Sequence, residues 1–149
     1  MSTSDSVASD SLASESAPQR VWYLDSSVAL RVLLGHSEGA IDWYEQAVDA
    51  GQRVVSSHLI ALEVARVLRR ESLDVKLGQG FVDELILLRV DDALLGEAAA
   101  IKPHVKSLDA IHLASAQRIG AQATTVVTHD KNMARAAEEL GFTVLDPVA

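Results

Sequence analysis

Cysteine is absent from the sequence, which excludes disulfides, thiolate metal ligands and a cysteine nucleophile. This absence suits a reducing compartment. Also absent is any apolar run near the roughly 18 residues that a membrane-spanning helix requires. The first residues lack the basic start and the apolar segment of a signal peptide. We therefore predict a cytoplasmic protein that has no membrane partner.

The sequence also lacks an excess of basic residues, and its formal net charge is −8. Domains that bind nucleic acid stably usually carry a basic face, so this charge argues against such a binder. It argues less against a metal-dependent nuclease. Acidic residues gathered at one site can bind Mg²⁺ or Mn²⁺, and the bound cations reverse the local field. Nucleic acid therefore stays open as a substrate.

The chain of 149 residues divides into two parts. Residues 1–19 are rich in serine, and their only branched aliphatic side chains are Val7 and Leu12. Such a segment cannot bury enough apolar surface to offset its ordering entropy, so we predict a disordered tail. Residues 20–149 fit one domain by length, and the chain is 48% hydrophobic, which is enough to build a core.

Beyond the tail, β-prone apolar runs alternate with stretches of helical periodicity. Strands that alternate with helices predict a parallel sheet covered on both faces. The predicted fold class is therefore α/β, with three layers (α/β/α) around a central parallel sheet. The predicted strands are 21–24, 53–56, 124–128 and 142–145, with a short strand within 86–90. The predicted helices are 26–34, 40–50, 58–70, 80–88, 93–101, 108–119 and 131–140.

Serine residues stand at the start of two predicted helices, and serine is a favoured N-cap because its hydroxyl accepts a bond from a free backbone N–H. We expect Ser26 or Ser27 to cap helix 26–34 and Ser107 to cap helix 108–119.

Acidic residues lie where the predicted sheet would bring them to one edge. Asp25 directly follows the first strand, and Asp130 closely follows strand 124–128. Ligands of parallel α/β sheets bind outside the carboxyl ends of the strands. Glu63 lies in the second turn of one helix and Asp109 in the first turn of another. Two of these positions have a structural explanation that serves equally well. A negative charge is favourable near a helix N-terminus, which accounts for Asp109, and Asp130 can cap the helix that follows it.

A cluster of these four acids needs a cation. Two carboxylates about 4 Å apart repel each other by roughly 4 kcal/mol at an effective dielectric constant of about 20. Carboxylates collected at one site must therefore bind metal or hold protons. Ligands that offer only oxygen favour Mg²⁺ or Mn²⁺ over zinc. The sequence thus predicts a Mg²⁺ or Mn²⁺ site.

The segments around the acids resemble the PIN-domain nucleases, especially the VapC-type toxins of bacterial toxin–antitoxin pairs. The resemblance covers residues 21–148 in the same order and spacing. It implies a cluster of four acids that cleaves RNA, with supporting hydroxyl groups on Ser26, beside the first acid, and Thr128, two residues before the last. The matching segments are 23–30, 62–68, 107–114 and 127–133, and the acids are Asp25, Glu63, Asp109 and Asp130.

The resemblance also implies partners, namely a cognate antitoxin and a second copy of the chain in a homodimer. We expect an arginine of the antitoxin to enter the acidic site, because its planar guanidinium binds carboxylates through two hydrogen bonds. The rest of the antitoxin would lie as a helix across an apolar surface. Candidates for that surface are Val32, Leu33, Trp43 and Tyr44.

Phosphodiester hydrolysis suits such a site, because a divalent ion neutralises phosphate charge and lowers the pKa of a bound water. We expect Asp25, Asp109 and Asp130 to be the main ligands and Glu63 to complete the shell or orient the water.

Basic residues near the acids are candidates for contact with RNA phosphates. Arg66 and Arg70 follow Glu63 by three and seven positions and so share its helix face. Lys131 follows Asp130 directly. A solvated or salt-bridged surface explains all three equally. His112 lies one helical turn past Asp109, where it either reaches the site or packs between helices.

Three other classes of protein are alternatives to a nuclease. A phosphatase of the haloacid-dehalogenase type would use Asp25 as its nucleophile and needs a second aspartate at position 27, which is serine. A receiver-like domain needs paired acids before the end of the first strand, and they are absent. A non-catalytic α/β interaction module stays open, and metal-dependent RNA cleavage would separate it from the nuclease.

Overall fold

The computed structural model describes residues 20–148, so the predicted disordered tail at 1–19 lies outside the described residues. The strands are β1 Val21–Leu24, β2 Arg53–Ser57, β3 Ile86–Leu88, β4 Thr124–Val127 and β5 Thr143–Leu145. The helices are α1 Ser26–Leu34, α2 Glu38–Asp49, α3 Leu59–Arg70, α4 Lys76–Asp83, α5 Asp92–Ala99, α6 Ser107–Ile119 and α7 Lys131–Glu139, and a 3-10 turn spans Ala121–Ala123.

The strands form one five-stranded sheet in the order β3-β2-β1-β4-β5, and every pairing is parallel. β1 lies at the centre, and the order reverses between β1 and β4. Leu24 pairs with Val127, so these two strands end level with each other. In open α/β sheets such a reversal opens a crevice at the carboxyl ends of the strands. The residues that follow β1 and β4 therefore meet at that edge.

Helices cover both faces of the sheet, which confirms the predicted α/β/α fold. Adjacent residues of β1 serve opposite faces, as the two-residue period of a strand requires. Leu24 joins the core under α1 to α4, and Tyr23 joins the core under α6 and α7. Both side chains are fully buried. Within residues 20–148, no helix has the length and apolar character needed to cross a membrane.

The predicted helix at 80–88 is wrong at both ends. Helix α4 starts at Lys76 and ends at Asp83, and residues 86–88 are strand β3. The early start depends on Gly78, where an added Cβ would lie 2.7 Å from Cγ1 of Val64 and 2.9 Å from Cδ1 of Leu68. Close packing on α3 therefore outweighs the low helix propensity of glycine.

The three serines do not cap helices as predicted. Ser26 and Ser27 lie inside α1, whose N-cap position is Asp25. Ser107 is the first residue of α6, after Lys106, and no side chain caps that helix. The hydroxyls of Ser26 and Ser27 are thereby available for the acids at the sheet edge.

The aromatic part of the predicted antitoxin surface is also wrong. Trp43 and Tyr44 are only 9% and 8% exposed, because α2 packs both side chains against the sheet core. The ring of Trp43 lies 5.7 Å from that of Trp22. Val32 and Leu33 are half-buried and pack against the same core. This set therefore offers a partner little apolar surface.

Candidate active site

Asp25 is the most buried acid of the site, with 3% of its surface exposed. Its backbone N–H donates to the carbonyl of Val127 at 3.0 Å, which ties it to the end of β4. Its Oδ2 accepts hydrogen bonds from the hydroxyls of Ser27 and Thr128, both at 2.8 Å. No group among residues 20–148 donates to Oδ1. The protein therefore holds Oδ2 of this buried carboxylate and leaves Oδ1 for another donor or a cation.

Two hydroxyls connect the start of α1 to the loop after β4. Ser27 Oγ lies 3.3 Å from Thr128 Oγ1 and accepts the backbone N–H of His129 at 3.0 Å. Thr128 Oγ1 accepts the backbone N–H of Asp130 at 3.1 Å. Thr128 thus contacts the site as predicted. Ser27 is a site residue that the sequence analysis missed.

Asp130 is the N-cap of α7, as one of its two explanations predicted. Its Oδ1 accepts the backbone N–H groups of Asn132 and Met133 at 2.8 and 3.0 Å. Its Oδ2 accepts no hydrogen bond from residues 20–148. One oxygen therefore stabilises the helix while the other stays available, so capping and ligation do not compete.

Glu63 is held by both of its oxygens. Oε2 accepts the hydroxyl of Ser26 at 3.2 Å, and Oε1 lies 2.6 Å from Nε2 of His112. Ser26, the supporting hydroxyl that the resemblance implies, bonds to Glu63 and not to its sequence neighbour Asp25. Neighbouring residues of a helix point about 100° apart, so Ser26 and Ser27 reach different acids.

His112 is fully buried on α6 and links the site to the core. Its Nδ1 lies 2.8 Å from the hydroxyl of Tyr23. Burial alone would lower the pKa of His112, but the hydrogen bond with Glu63 and the charges of Asp25, Glu63 and Asp109 raise it above its ordinary value. The sequence left two predictions open for His112, contact with the site or packing between helices. The structure shows both, because the side chain is buried in the core and also bonds to Glu63.

The pKa of Asp109, in the first turn of α6, reflects the negative charge at this edge. Burial and then the negative charges of Asp25, Asp130 and Glu63, partly offset by His112, raise its pKa to about 6. No hydrogen bond from residues 20–148 reaches its carboxylate. The structure thus brings the four predicted acids to one edge of the sheet, where their charges act on one another.

The predicted RNA-binding residues lie outside this network. Arg66, Arg70 and Lys131 are exposed. The guanidinium of Arg70 lies 3.6 Å from the carboxylate of Glu71. None of the three forms an ion pair with the four acids in the described chain. They remain solvent-facing cations.

The donor set suits a hard cation. Oxygens that are free of protein hydrogen bonds within residues 20–148 remain on Asp25, Asp109 and Asp130, and all are carboxylate oxygens. In this part of the chain, no three acidic or histidine side chains are grouped closely enough to hold a metal ion by themselves. Waters or substrate phosphates would therefore have to complete the shell of a bound cation, as they usually do for Mg²⁺.

Comparison with known proteins agrees with this geometry. The PIN domain family model matches residues 22–139. Ribonuclease VapC46 of Mycobacterium tuberculosis is 36% identical over 127 residues, which cover 84% of this chain and 96% of that protein. Ribonuclease VapC47 of the same species is 30% identical over 132 residues, which cover 85% of this chain and 97% of that protein.

Solved structures share the fold at lower sequence identity. One is VapBC2 from Rickettsia felis bound to a DNA fragment from its promoter, with a TM-score of 0.61 and 12% identity over 84% of this chain and 97% of that chain. Another is FitAB bound to the IR36 DNA fragment, with a TM-score of 0.57 and 20% identity over 86% of this chain and 96% of that chain. The family model and the relatives together show that the chain belongs to the PIN-domain family and is of the VapC type.

Proposed function

We propose that this protein is a Mg²⁺- or Mn²⁺-dependent endoribonuclease that acts in the cytoplasm as the toxin of a toxin–antitoxin pair. The observation that carries the proposal is the acidic sheet edge, where burial and neighbouring carboxylates raise the pKa of Asp109 to about 6 and where carboxylate oxygens have no hydrogen bond from residues 20–148. Such an edge is unfavourable without a counter-charge. The ribonuclease names of the relatives agree with the proposal.

Each acid has a proposed role. Asp25, Asp109 and Asp130 are the main ligands, because each retains an oxygen that no group in residues 20–148 engages. Glu63 completes the shell or orients the attacking water. When bound, the cation neutralises phosphate charge and supplies a water of lowered pKa. The chain itself orients the ligands: Ser27 and Thr128 fix Oδ2 of Asp25, and the cap of α7 fixes Oδ1 of Asp130.

RNA is the proposed substrate despite the net charge of −8. The exposed cations Arg66, Arg70 and Lys131 would contact phosphates of the RNA backbone, and such contacts position a strand without reading its sequence. The cation in the acidic site would offset the local repulsion between the carboxylates and the phosphates.

Control by a cognate antitoxin follows from the same site. An arginine of the antitoxin can compete with the cation for the carboxylates. The similar fold of VapBC2 and FitAB agrees with a partner of this kind. We further propose that the toxin is a homodimer. Co-expression with the neighbouring reading frame should restore growth and yield a co-purifying complex. A product that is harmless when overexpressed alone would count against the toxin role and leave the nuclease role standing.

RNA cleavage in the presence and absence of metal tests the proposal. The purified full-length chain should cleave RNA with Mn²⁺, lose this activity in a chelator and regain it when Mn²⁺ is added back. Asp25→Asn should be inactive in the same preparation scheme. Asp91→Asn is the matched control, because Asp91 caps α5 away from the site. Cleavage that survives either chelation or Asp25→Asn would refute the assignment.

The structure offers no support for the two alternatives, a phosphatase of the haloacid-dehalogenase type and a non-catalytic interaction module. Position 27 carries a serine whose hydroxyl donates to Asp25, where the haloacid-dehalogenase alternative needs a second aspartate. A non-catalytic module predicts no cleavage at any metal concentration, so the same experiment decides it.

A further inference from the structure

Behind Glu63 lies a chain of buried polar groups that the proposed ligands do not include. The hydroxyl of Tyr23 lies 2.8 Å from Nδ1 of His112, and Nε2 of His112 lies 2.6 Å from Oε1 of Glu63. Tyr23 and His112 are both fully buried. Buried polar groups are costly unless they are hydrogen-bonded, and here each one is. These two hydrogen bonds connect Tyr23 in the core with the carboxylate of Glu63 in the site.

This contact also joins the two layers of helices. Glu63 belongs to α3, whose Ile60 and Val64 pack in the core on one face of the sheet. His112 belongs to α6, whose Leu113 packs in the core on the other face. The bond therefore passes across the edge of the sheet. A shift of either layer would move Glu63 relative to the ligands on the other layer, such as Asp109.

The direction of the hydrogen bonds follows from the chemistry of the groups. An ionised carboxylate only accepts, so Nε2 of His112 must carry the proton that faces Glu63. In the neutral ring Nδ1 is then an acceptor, and Tyr23 donates to it. In the protonated ring Nδ1 donates to the oxygen of Tyr23. The donor that faces Glu63 is the same in both cases.

We propose that His112 is a positioning residue that fixes Oε1 of Glu63, with Tyr23 holding its ring, so that Glu63 is oriented before the metal and substrate bind. Glutamate has several rotatable bonds, and ordering them in advance removes an entropic cost from binding. Groups that orient metal ligands in this way typically contribute about 10–100-fold to metal affinity or activity. The effect on metal rests on the proposed function.

Four variants separate positioning from a purely structural role. His112→Met removes the donor at similar volume, whereas His112→Gln keeps an N–H that reaches toward Glu63. Tyr23→Phe removes the hydroxyl that holds the ring. Tyr44→Phe is the matched control, because the Tyr44 hydroxyl also donates to a carboxylate, Oε2 of Glu84, at 2.8 Å but away from the site.

Calorimetric titration of each full-length variant with Mn²⁺, alongside its melting temperature, gives the readout. We expect His112→Met to weaken Mn²⁺ binding by about tenfold or more. His112→Gln should recover most of that loss, and Tyr23→Phe should fall between them. Tyr44→Phe should bind Mn²⁺ as the unmodified protein does. A purely structural role would lower the melting temperature in His112→Met and His112→Gln without this order of affinities.

A second measurement needs neither metal nor a stable His112 variant. Nuclear magnetic resonance of the metal-free protein should show a slowly exchanging Nε2–H of His112, whose resonance moves in Glu63→Gln. A ring whose Nε2 carries no proton would overturn the proposal. So would Mn²⁺ affinity that is unchanged in folded His112→Met but lost in Asp25→Asn, and this result would leave the nuclease standing. Unmodified protein that binds no Mn²⁺ would overturn the proposed function and this inference together.

Discussion

Acidic side chains lie close together around Arg118 on the surface and, in a different setting, at the carboxyl edge of the sheet. In the surface cluster, Arg118 lies 3.3 Å from Asp91 and 2.6 Å from Glu97. Hydrogen bonds from the backbone of Leu94 and from Arg118 lower the pKa of Asp91, and the bond from Arg118 lowers that of Glu97. The chain supplies the cation for these acids.

At the sheet edge the electrostatic situation is reversed. Within residues 20–148, no lysine or arginine forms an ion pair with Asp25, Glu63, Asp109 or Asp130. His112 is the one basic side chain in this region that bonds to them, through Glu63. Burial and like charges raise the pKa of Asp109 to about 6. The chain thus supplies an arginine to the surface acids and no lysine or arginine within residues 20–148 to the acids at the sheet edge, and our proposal assigns that missing counter-charge to a metal ion.

The largest expected difference between the clusters is in RNA cleavage. Asp109→Asn should reduce cleavage with Mn²⁺ by about 100-fold or more, because a lost ligand should cost at least as much as a lost orienting group. Glu97→Gln makes the same chemical change in the surface cluster and should leave the rate unchanged. Equal rates in the two variants would remove the functional difference between the clusters.

A second prediction separates the stability of β4 from the chemistry at its end. Thr128 donates to Asp25 at one end of the strand, and Thr124 donates to the carbonyl of Gly120 at 2.6 Å at the other. Both threonines are buried. Thr128→Val and Thr124→Val should each lower the free energy of unfolding by about 0.5–3 kcal/mol, since each removes a hydrogen bond that a buried hydroxyl donates.

Only Thr128→Val should also slow cleavage, by about 10–100-fold, because it removes one of the two hydroxyls that hold Oδ2 of Asp25. Denaturant unfolding and cleavage rates at a temperature where both variants are folded would check this. A comparable slowing in Thr124→Val would mean that general loosening of the strand, and not the held carboxylate, sets the rate.

The fold and the positions of the acids could be predicted because both depend on short-range patterns. Alternating strands and helices predict a parallel sheet, and the residue after a buried strand must lie at its carboxyl edge. That argument suffices for Asp25 and Asp130. The structure also brings Glu63, in the second turn of α3, and Asp109, in the first turn of α6, to the same edge.

The connections between the acids could not be predicted, because they depend on contacts that are distant in sequence or on a single residue of helix phase. Whether Ser26 or Ser27 faces Asp25 is decided by where α1 begins, since neighbouring helical residues diverge by about 100°. The bond of His112 to Tyr23 spans 89 positions of sequence. The close approach of α4 at Gly78 likewise exists only in the packed protein.

The smallest expected difference concerns stability against pH in the metal-free protein. The pKa of Asp109 is raised from 3.8 to about 6, so the folded state holds this proton more tightly than the unfolded chain does. The contribution of Asp109 to stability therefore falls as pH rises through this window. Asp109→Asn should gain stability relative to the unmodified protein between pH 3.8 and about 6.

Asp91 should behave in the opposite way. Its pKa is lowered from 3.8, so its contribution to stability is present above this pH and is lost as pH falls toward the lowered value. Asp91→Asn should therefore lose stability relative to the unmodified protein as pH rises. Melting temperatures in a chelator, measured from below pH 3.8 to about 6, would reveal the two signs. The same sign in both variants would contradict the electrostatic contrast.

Calorimetric titration of the metal-free full-length protein with Mn²⁺ tests most directly the claim that the sheet edge awaits a cation. The unmodified protein and Asp91→Asn should bind Mn²⁺ equally well, because Arg118 already neutralises the surface cluster. Asp25→Asn and Asp109→Asn should bind it at least about tenfold more weakly. Affinity that is the same in all four proteins, or no binding by the unmodified protein, would contradict the account.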